Sequence, residues 1–165
     1  MAKVRSSGAL AVALALVIGL SACARNNADQ LAGGAGSYGA AGPGSQQEFN
    51  QTVGDRVFFD TDQTDLSPTA QATLDKQANW LNQYNRYTFT IEGHADERGT
   101  RDYNFALGAK RAQNVRDYLV AKGVSASRMR TISYGKERPV ATCDDISCWS
   151  QNRRAVTVLN GAPQS

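Results

Sequence analysis

Between Tyr87 and Gly123 the hydrophobic period of this sequence changes once, and that change limits the fold more than any other feature. Tyr87, Phe89 and Ile91 alternate with Thr88, Thr90 and Glu92, the two-residue period of a strand with one buried face. A glycine-bounded stretch follows, Gly93-His94-Ala95-Asp96-Glu97-Arg98-Gly99. From about Asp102 to Lys122 the period is helical. Gly108, Ala112, Val115 and Leu119 lie along its core face, and Gly123 follows its end as a cap. A strand, a short loop and a long one-sided helix bury their apolar faces only against one another, which implies an α/β arrangement.

The neighbouring segments extend the pattern. Arg56 to Phe59 reads as a short apolar strand. Ser67-Pro68 reads as a helix start, with Ser67 as N-cap and Pro68 at the first helical position. Leu74, Ala78 and Leu81 recur at i, i+4 and i+7 and give that helix one buried stripe. Arg130 to Tyr134 and Ala155 to Leu159 are further strands, the last led in by Asn152-Arg153-Arg154, and Thr142 to Trp149 reads as a loop. The order predicts a two-layer βαβαβ(β) α/β sandwich. Its one mixed sheet carries helices on one face, and the threonine-rich opposite face is more exposed. The compact domain is expected over residues 47–161, without internal repeats, followed by a short tail at 162–165.

The first residues are of another kind. Lys3 and Arg5 precede an apolar run from Ala9 to Leu20, the length of a signal-peptide core and short of the ~20 residues that a membrane-spanning helix needs. Leu20-Ser21-Ala22-Cys23 resembles the lipobox of bacterial lipoproteins. That resemblance implies a signal peptide at 1–22, with Cys23 carrying diacylglycerol and an N-acyl chain as the new N-terminus. Ala24, where Asp would favour inner-membrane retention, implies sorting to the outer membrane with the domain facing the periplasm. An ordinary cleaved signal with an incidental cysteine is the alternative. Residues 23–46 then form the lipidated end and a linker: six of the chain's 15 glycines fall between Gly33 and Gly44. Such a segment buries too little apolar surface to offset its ordering entropy, so a disordered tether is expected, roughly 25–30 Å from end to end on average. Of 18 Lys+Arg against 15 Asp+Glu, Lys3 and Arg5 lie in the leader, so the mature balance falls from +3 to +1. That charge gives no reason to expect nucleic acid as a partner.

With Cys23 lipidated, Cys143 and Cys148 remain as an even pair in an oxidising compartment, and a disulfide between them is expected. Zinc is the competing use of the two thiolates, but without a nearby histidine they give only half a site. Asp60, Asp62 and Asp65 suggest a calcium loop at first sight. Glycine is missing at the sixth position, however, and Gln71 stands where the bidentate Glu belongs. No metal is expected.

The glycine-bounded loop and the helix after it can hold one carboxylate, Asp96, and one guanidinium, Arg111, over a shared pocket. A matching ligand carries an ammonium and a carboxylate close together, as the free end of an amino acid does. Asn104, Leu107 and Arg111, at i, i+3 and i+7, cluster beside the core stripe rather than on it. Plainer roles also fit: Asp96 as a loop residue bonding its own backbone, Arg111 as a surface helix arginine, and the lone His94 as a structural residue. Arg153 and Arg154 read as charges at the start of a strand that pair with nearby acids. Asp60, Asp96 and Glu97 could supply paired carboxylates for glycan cleavage, but there is no Gly-x-Ser-x-Gly elbow, metal triad or cysteine–histidine pair. The chain is not expected to be an enzyme.

Several ordered motifs carry a family resemblance: Val57-Phe58-Phe59-Asp60, Gly93 to Gly99, Asn104-Phe105-Ala106-Leu107-Gly108-Ala109-Lys110-Arg111-Ala112, Ser133-Tyr134-Gly135-Lys136-Glu137 and Asn152-Arg153-Arg154-Ala155-Val156. Together they resemble the outer-membrane-protein-A-like peptidoglycan-binding domain. With the lipobox and tether, the whole is similar to the lipoproteins of the Tol–Pal system. The Thr142–Trp149 region departs from that pattern. The resemblance implies non-covalent binding of peptidoglycan through the meso-diaminopimelate of its stem peptide. Asp96 would receive the ammonium, and Arg111 would grip the carboxylate with a bidentate fork. It further implies, less firmly, that Phe59, Asp60, His94, Ala95 and Arg98 lie at the pocket with Asn104 and Leu107. It implies TolB and other Tol-system or outer-membrane proteins as partners, and no cofactor beyond the acyl chains. The alternative is a module that mainly binds Tol proteins, with murein contact secondary.

Overall fold

The structure of the chain, a computed structural model, describes residues 42–161. The expected leader, Cys23, most of the linker and the 162–165 tail lie outside the described residues. Four strands form one mixed sheet in the order β1-β4-β2-β3: β1 (Arg56–Phe58), β2 (Phe89–His94), β3 (Met129–Gly135) and β4 (Arg154–Leu159). β4 is antiparallel to both β1 and β2, whereas β2 and β3 run parallel, with a register shift at Gly93/His94.

Two long helices cover one face. α2 (Pro68–Gln83) starts where expected, the Ser67 side chain accepting from the Ala70 amide and Pro68 opening the first turn. α3 (Arg101–Ala121) is capped by Thr100, which accepts from the Tyr103 amide, and ends before Gly123 at φ +87°. Leu74, Leu81, Phe89, Ile91, Val115 and Leu119 are almost wholly buried between the layers, an arrangement driven by removal of apolar surface from water.

The closest joint between layers is made without side chains. Gly93 of β2 faces Gly108 of α3 so closely that a Cβ on Gly93 would overlap the Gly108 carbonyl oxygen. Ser133 Oγ on β3 donates to the Phe105 carbonyl at 2.7 Å and fixes the same helix from the next strand. The end of β2 and the middle of α3 are thereby held in one register, and the candidate site lies there.

Three segments differ from the sequence reading. The ordered part begins a few residues before 47. The Gly44 carbonyl accepts from Tyr87 Oη at 2.7 Å and from Arg86 at 2.7 Å, while its amide donates to Glu48. Composition cannot show that a tyrosine and an arginine forty positions later capture a glycine. Next come α1 (Gln46–Glu48) and a π-helical turn, Phe49–Gly54, whose one deep anchor is Phe49, packed 4.9 Å from the Trp80 ring. A single apolar residue shows no period. Finally, Thr142–Trp149 is not merely a loop: α4 (Ile146–Asn152) is capped by the Asp145 side chain accepting from the Ser147 amide. Seven residues with one buried apolar side chain, Cys148, are too few to display amphipathicity. Cys143 and Cys148 are joined by a disulfide, with 5.7 Å between their Cα atoms.

Candidate functional site

Arg111 lies one turn beyond Gly108 on α3, and the tight β2–α3 joint carries it completely beneath the surface, at 0% exposure. Its Nε donates to the Gln63 carbonyl at 2.9 Å, Nη1 to the His94 carbonyl at 2.8 Å and Nη2 to the Asp60 carbonyl at 3.1 Å. The guanidinium also stacks 5.0 Å from the Phe59 ring centroid. A guanidinium has five N–H groups, so one on each Nη remains for another acceptor. Burial, followed by the positive charge of Arg153, pushes its pKa down to about 10, where it is still charged at neutral pH.

Asp96 sits two residues beyond β2 and is 7% exposed. Its carboxylate is gripped twice by Arg98, Nε to Oδ1 at 3.2 Å and Nη2 to Oδ2 at 2.6 Å, and once by Arg153 Nη1 at 3.2 Å. Burial pushes the carboxyl upward, but the bonds from Arg98 and Arg153 outweigh it, so the group is held below the ordinary carboxylate range. A carboxyl so placed stays ionised and is a poor general acid.

The other expected residues fall around these two. Phe59 is buried under Arg111, while Asp60 is exposed and offers its carbonyl. Asn104 is buried and donates to the Arg98 carbonyl at 2.7 Å, setting the loop's return. Ala95 is buried, its amide bonded to the Gly135 carbonyl at 2.8 Å. Leu107 is buried beneath the loop but outside the main core cluster. Asn104, Leu107 and Arg111 therefore lie inside the protein rather than beside its core stripe, because the glycine joint sinks this side of α3 against the sheet.

Two further expectations need correction. Asp96 and Arg111 do not face an open shared pocket: Asp96 turns to Arg98 and Arg153, and Arg111 turns to three carbonyls. Buried charges demand partners, and here the protein itself supplies them. His94 contributes its carbonyl to Arg111, but its ring belongs elsewhere. The strand alternation that turns Gly93 toward α3 turns His94 away, to within 3.6 Å of Glu92 and 5.6 Å of the Tyr134 ring. Neither ring nitrogen has a hydrogen-bond partner among the described residues. Burial, then the charges of Arg154, Arg138 and Arg56, lowers its pKa to about 4, leaving a neutral imidazole.

Arg153 is the residue that sequence reasoning undervalued. The sequence places it as a charge pairing with nearby acids, and the acid is Asp96 itself. Its Nε also donates to the Phe59 carbonyl at 3.0 Å, at the point where β1 and β4 part. Trp149 was not singled out at all. Its ring lies 4.2 Å from the Arg98 guanidinium, and its indole N–H donates to Glu97.

Arg153 and Asp60 together line two open clefts. One, of about 700 Å³, includes Gln63, Asp65 and Ile146; the other, of about 380 Å³, includes Phe58, Ser150 and Gln151. Neither is lined by Asp96 or Arg111.

Residues 58–154 match the family model described as the OmpA family. The chain belongs to the OmpA family. It is 65% identical over 153 residues to a protein named "Peptidoglycan-associated lipoprotein" from Rhizobium meliloti (strain 1021), covering 92% of this chain and 87% of that one. The crystal structure of the peptidoglycan-associated lipoprotein from Burkholderia pseudomallei superposes with a TM-score of 0.64 at 40% identity, over 67% of this chain and 96% of that one. The C-terminal domain of Helicobacter pylori MotB superposes with a TM-score of 0.61 at 20% identity, over 66% and 86% of the respective chains, a likeness of fold. The mixed four-stranded sheet with its helices is the OmpA-like α/β fold that the sequence motifs implied.

Proposed function

We propose that this chain is a non-catalytic clamp between the outer membrane and the cell wall. A lipid-modified Cys23 holds the outer membrane from the periplasmic side, and the folded domain binds peptidoglycan through the diaminopimelate of its stem peptide, within the Tol–Pal system. Its work is then envelope integrity and the drawing-in of the outer membrane at division. TolB and other Tol proteins are its protein partners, a reading supported by the exposed Tyr103 and Phe105 at the start of α3. No cofactor beyond the acyl chains is involved.

The observation that carries the murein reading is a pair of opposite charges beneath one loop. Asp96 is ionised, and Arg111 has two N–H groups left, one on each Nη, once its three carbonyls are served. The free end of diaminopimelate is an α-amino acid head, whose ammonium suits Asp96 and whose carboxylate suits the two N–H groups of Arg111. A stem peptide with lysine at that position lacks the carboxylate and leaves Arg111 unpaired, so the same pair discriminates. Relatives sharing most of this sequence bear the name "Peptidoglycan-associated lipoprotein".

The test is co-sedimentation of the full-length protein, in detergent, with diaminopimelate-type murein. Asp96→Asn should abolish pelleting while leaving the circular dichroism spectrum unchanged, and free diaminopimelate should compete with the wild type. Pelleting of Asp96→Asn at the wild-type level would end this assignment. Release of soluble muropeptides during the incubation would contradict the non-catalytic reading.

A further inference from the structure

Both members of the proposed pair are closed off from solvent, Asp96 at 7% exposure and Arg111 at 0%. Something must leave before an ammonium can reach Asp96. Of the two cations on that carboxylate, Arg153 is fixed: its side chain is 7% exposed and its Nε is tied to the Phe59 carbonyl. Arg98 differs. Its side chain is 41% exposed, and beyond Asp96 its hydrogen-bond and stacking partners among the described residues are Thr61 Oγ1, at 3.5 Å, and the face of Trp149. A half-exposed guanidinium regains water when it swings away, so its release costs far less than that of Arg153.

We infer that Arg98 is the gate of this pocket, a resident cation that occupies the place of the ligand's ammonium on Asp96. The inference rests on the diaminopimelate reading above. Trp149 holds the gate shut by stacking on the guanidinium, and it is itself tied to the loop through Glu97. The helix that carries it, α4, is closed at its start by the Cys143–Cys148 bond. Binding is then an exchange of one cation for another, so the charge around Asp96 is conserved and Arg153 is never left alone with it. A simple amine can displace Arg98 but offers Arg111 nothing in return. A simple carboxylic acid cannot displace it. Only a zwitterion gains at both ends.

The gate also lowers apparent affinity, because only the fraction of molecules with Arg98 displaced is competent. Calorimetric titration of the full-length protein with meso-diaminopimelate, and separately with Nα-acetyl-lysine amide, whose ammonium has no neighbouring carboxylate, tests this directly. Arg98→Ala should bind diaminopimelate about tenfold more tightly, as expected if the open state is about a tenth of the population, and should bind the Nα-acetyl-lysine amide more tightly by a similar factor. Arg98→Gln, which preserves the loop's bulk, and Trp149→Phe, which weakens the seat, should move affinity the same way by less. Wild-type binding should change Trp149 fluorescence as the guanidinium leaves the ring, and Trp149→Phe identifies that signal against Trp80. If Asp96→Asn loses binding but Arg98→Ala binds equally or more weakly, the gate is overturned and the pocket stands. If Asp96→Asn binds as the wild type does, the pocket reading falls and the gate with it.

Discussion

The two faces of β2 each bury a basic side chain at the same level of the strand, and they treat it in opposite ways. On the helix side, Arg111 is 0% exposed, has three carbonyl acceptors and keeps its charge. On the other side, His94 is 2% exposed, has no acceptor among the described residues and is neutral. One residue serves both faces, since the His94 carbonyl is among the acceptors of Arg111. Depth of burial is therefore a poor guide to ionisation here. What decides it is whether oxygen atoms converge on the group, and for Arg111 backbone carbonyls do so where the Asp60–Gln63 loop folds over α3.

The strongest way to break the contrast is to remove the satisfied charge. Arg111→Met should leave three carbonyls without their donor and destabilise the domain by about 4 kcal/mol, read as a lower urea midpoint. An unchanged midpoint would mean that the carbonyls find water and that the buried network matters little. For this reason Asp96, rather than Arg111, is the cleaner probe of ligand binding.

Gly108→Ala disturbs the joint that brings the two faces into register. Its new methyl group would meet Ser133 Oγ and the Gly93 carbonyl oxygen, at an expected cost of about 3 kcal/mol. Murein co-sedimentation should fall with it as α3 shifts and Arg111 loses its acceptors. A variant as stable as the wild type would show that the layers are free to separate.

His94 sharpens the contrast through pH. Its folded value, about 4, lies below the ordinary 6.5, so between those values the unfolded chain holds more protons and stability falls as pH falls. The depressed carboxylates lose their contributions only below their ordinary values of 4.5 for Glu48 and 3.8 for Asp75, Asp96 and Asp145. Between pH 7 and pH 5 the loss from the one histidine should be about 2 kcal/mol. Thermal unfolding of His94→Gln should show that slope flattened. An equal slope in both proteins would place the titrating group elsewhere.

The smallest effect concerns α4, which touches neither buried base. Replacing Cys143 and Cys148 by serine opens so short a loop that about 1–2 kcal/mol is the expected loss by the chain-entropy estimate. Calorimetry of the oxidised and reduced wild type gives the same comparison without mutation.

Much of this architecture was legible in the sequence. The Ser67-Pro68 start, the alternation around Ile91 and the Gly123 stop are local signals written in neighbouring residues, and each element formed within a few positions of its expected bounds. The motifs around Asp96 and Arg111 located the site. What sequence reasoning could not supply was the partner of each charge. Arg153 lies 57 positions from Asp96, and the Gln63 carbonyl lies 48 from Arg111. No periodicity encodes a meeting between a strand start and a loop, or shows that a guanidinium will be met by carbonyls rather than by a carboxylate. His94 was misplaced for a related reason: a motif names a residue without saying to which side of the sheet its ring turns. Trp149 was missed because α4 has too few residues to announce itself.

The capture of Gly44 by Tyr87 and Arg86 has a mechanical consequence. The described chain begins at the Tyr87 end of β2, whereas Asp96 and Arg111 stand at the His94 end, roughly 20 Å away along six residues of strand. A pull applied at the first and resisted at the second is transmitted along β2, the strand flanked by β4 on one side and β3 on the other. Such a load shears many ladder bonds together instead of peeling them one by one, the geometry in which a small sheet best withstands tension.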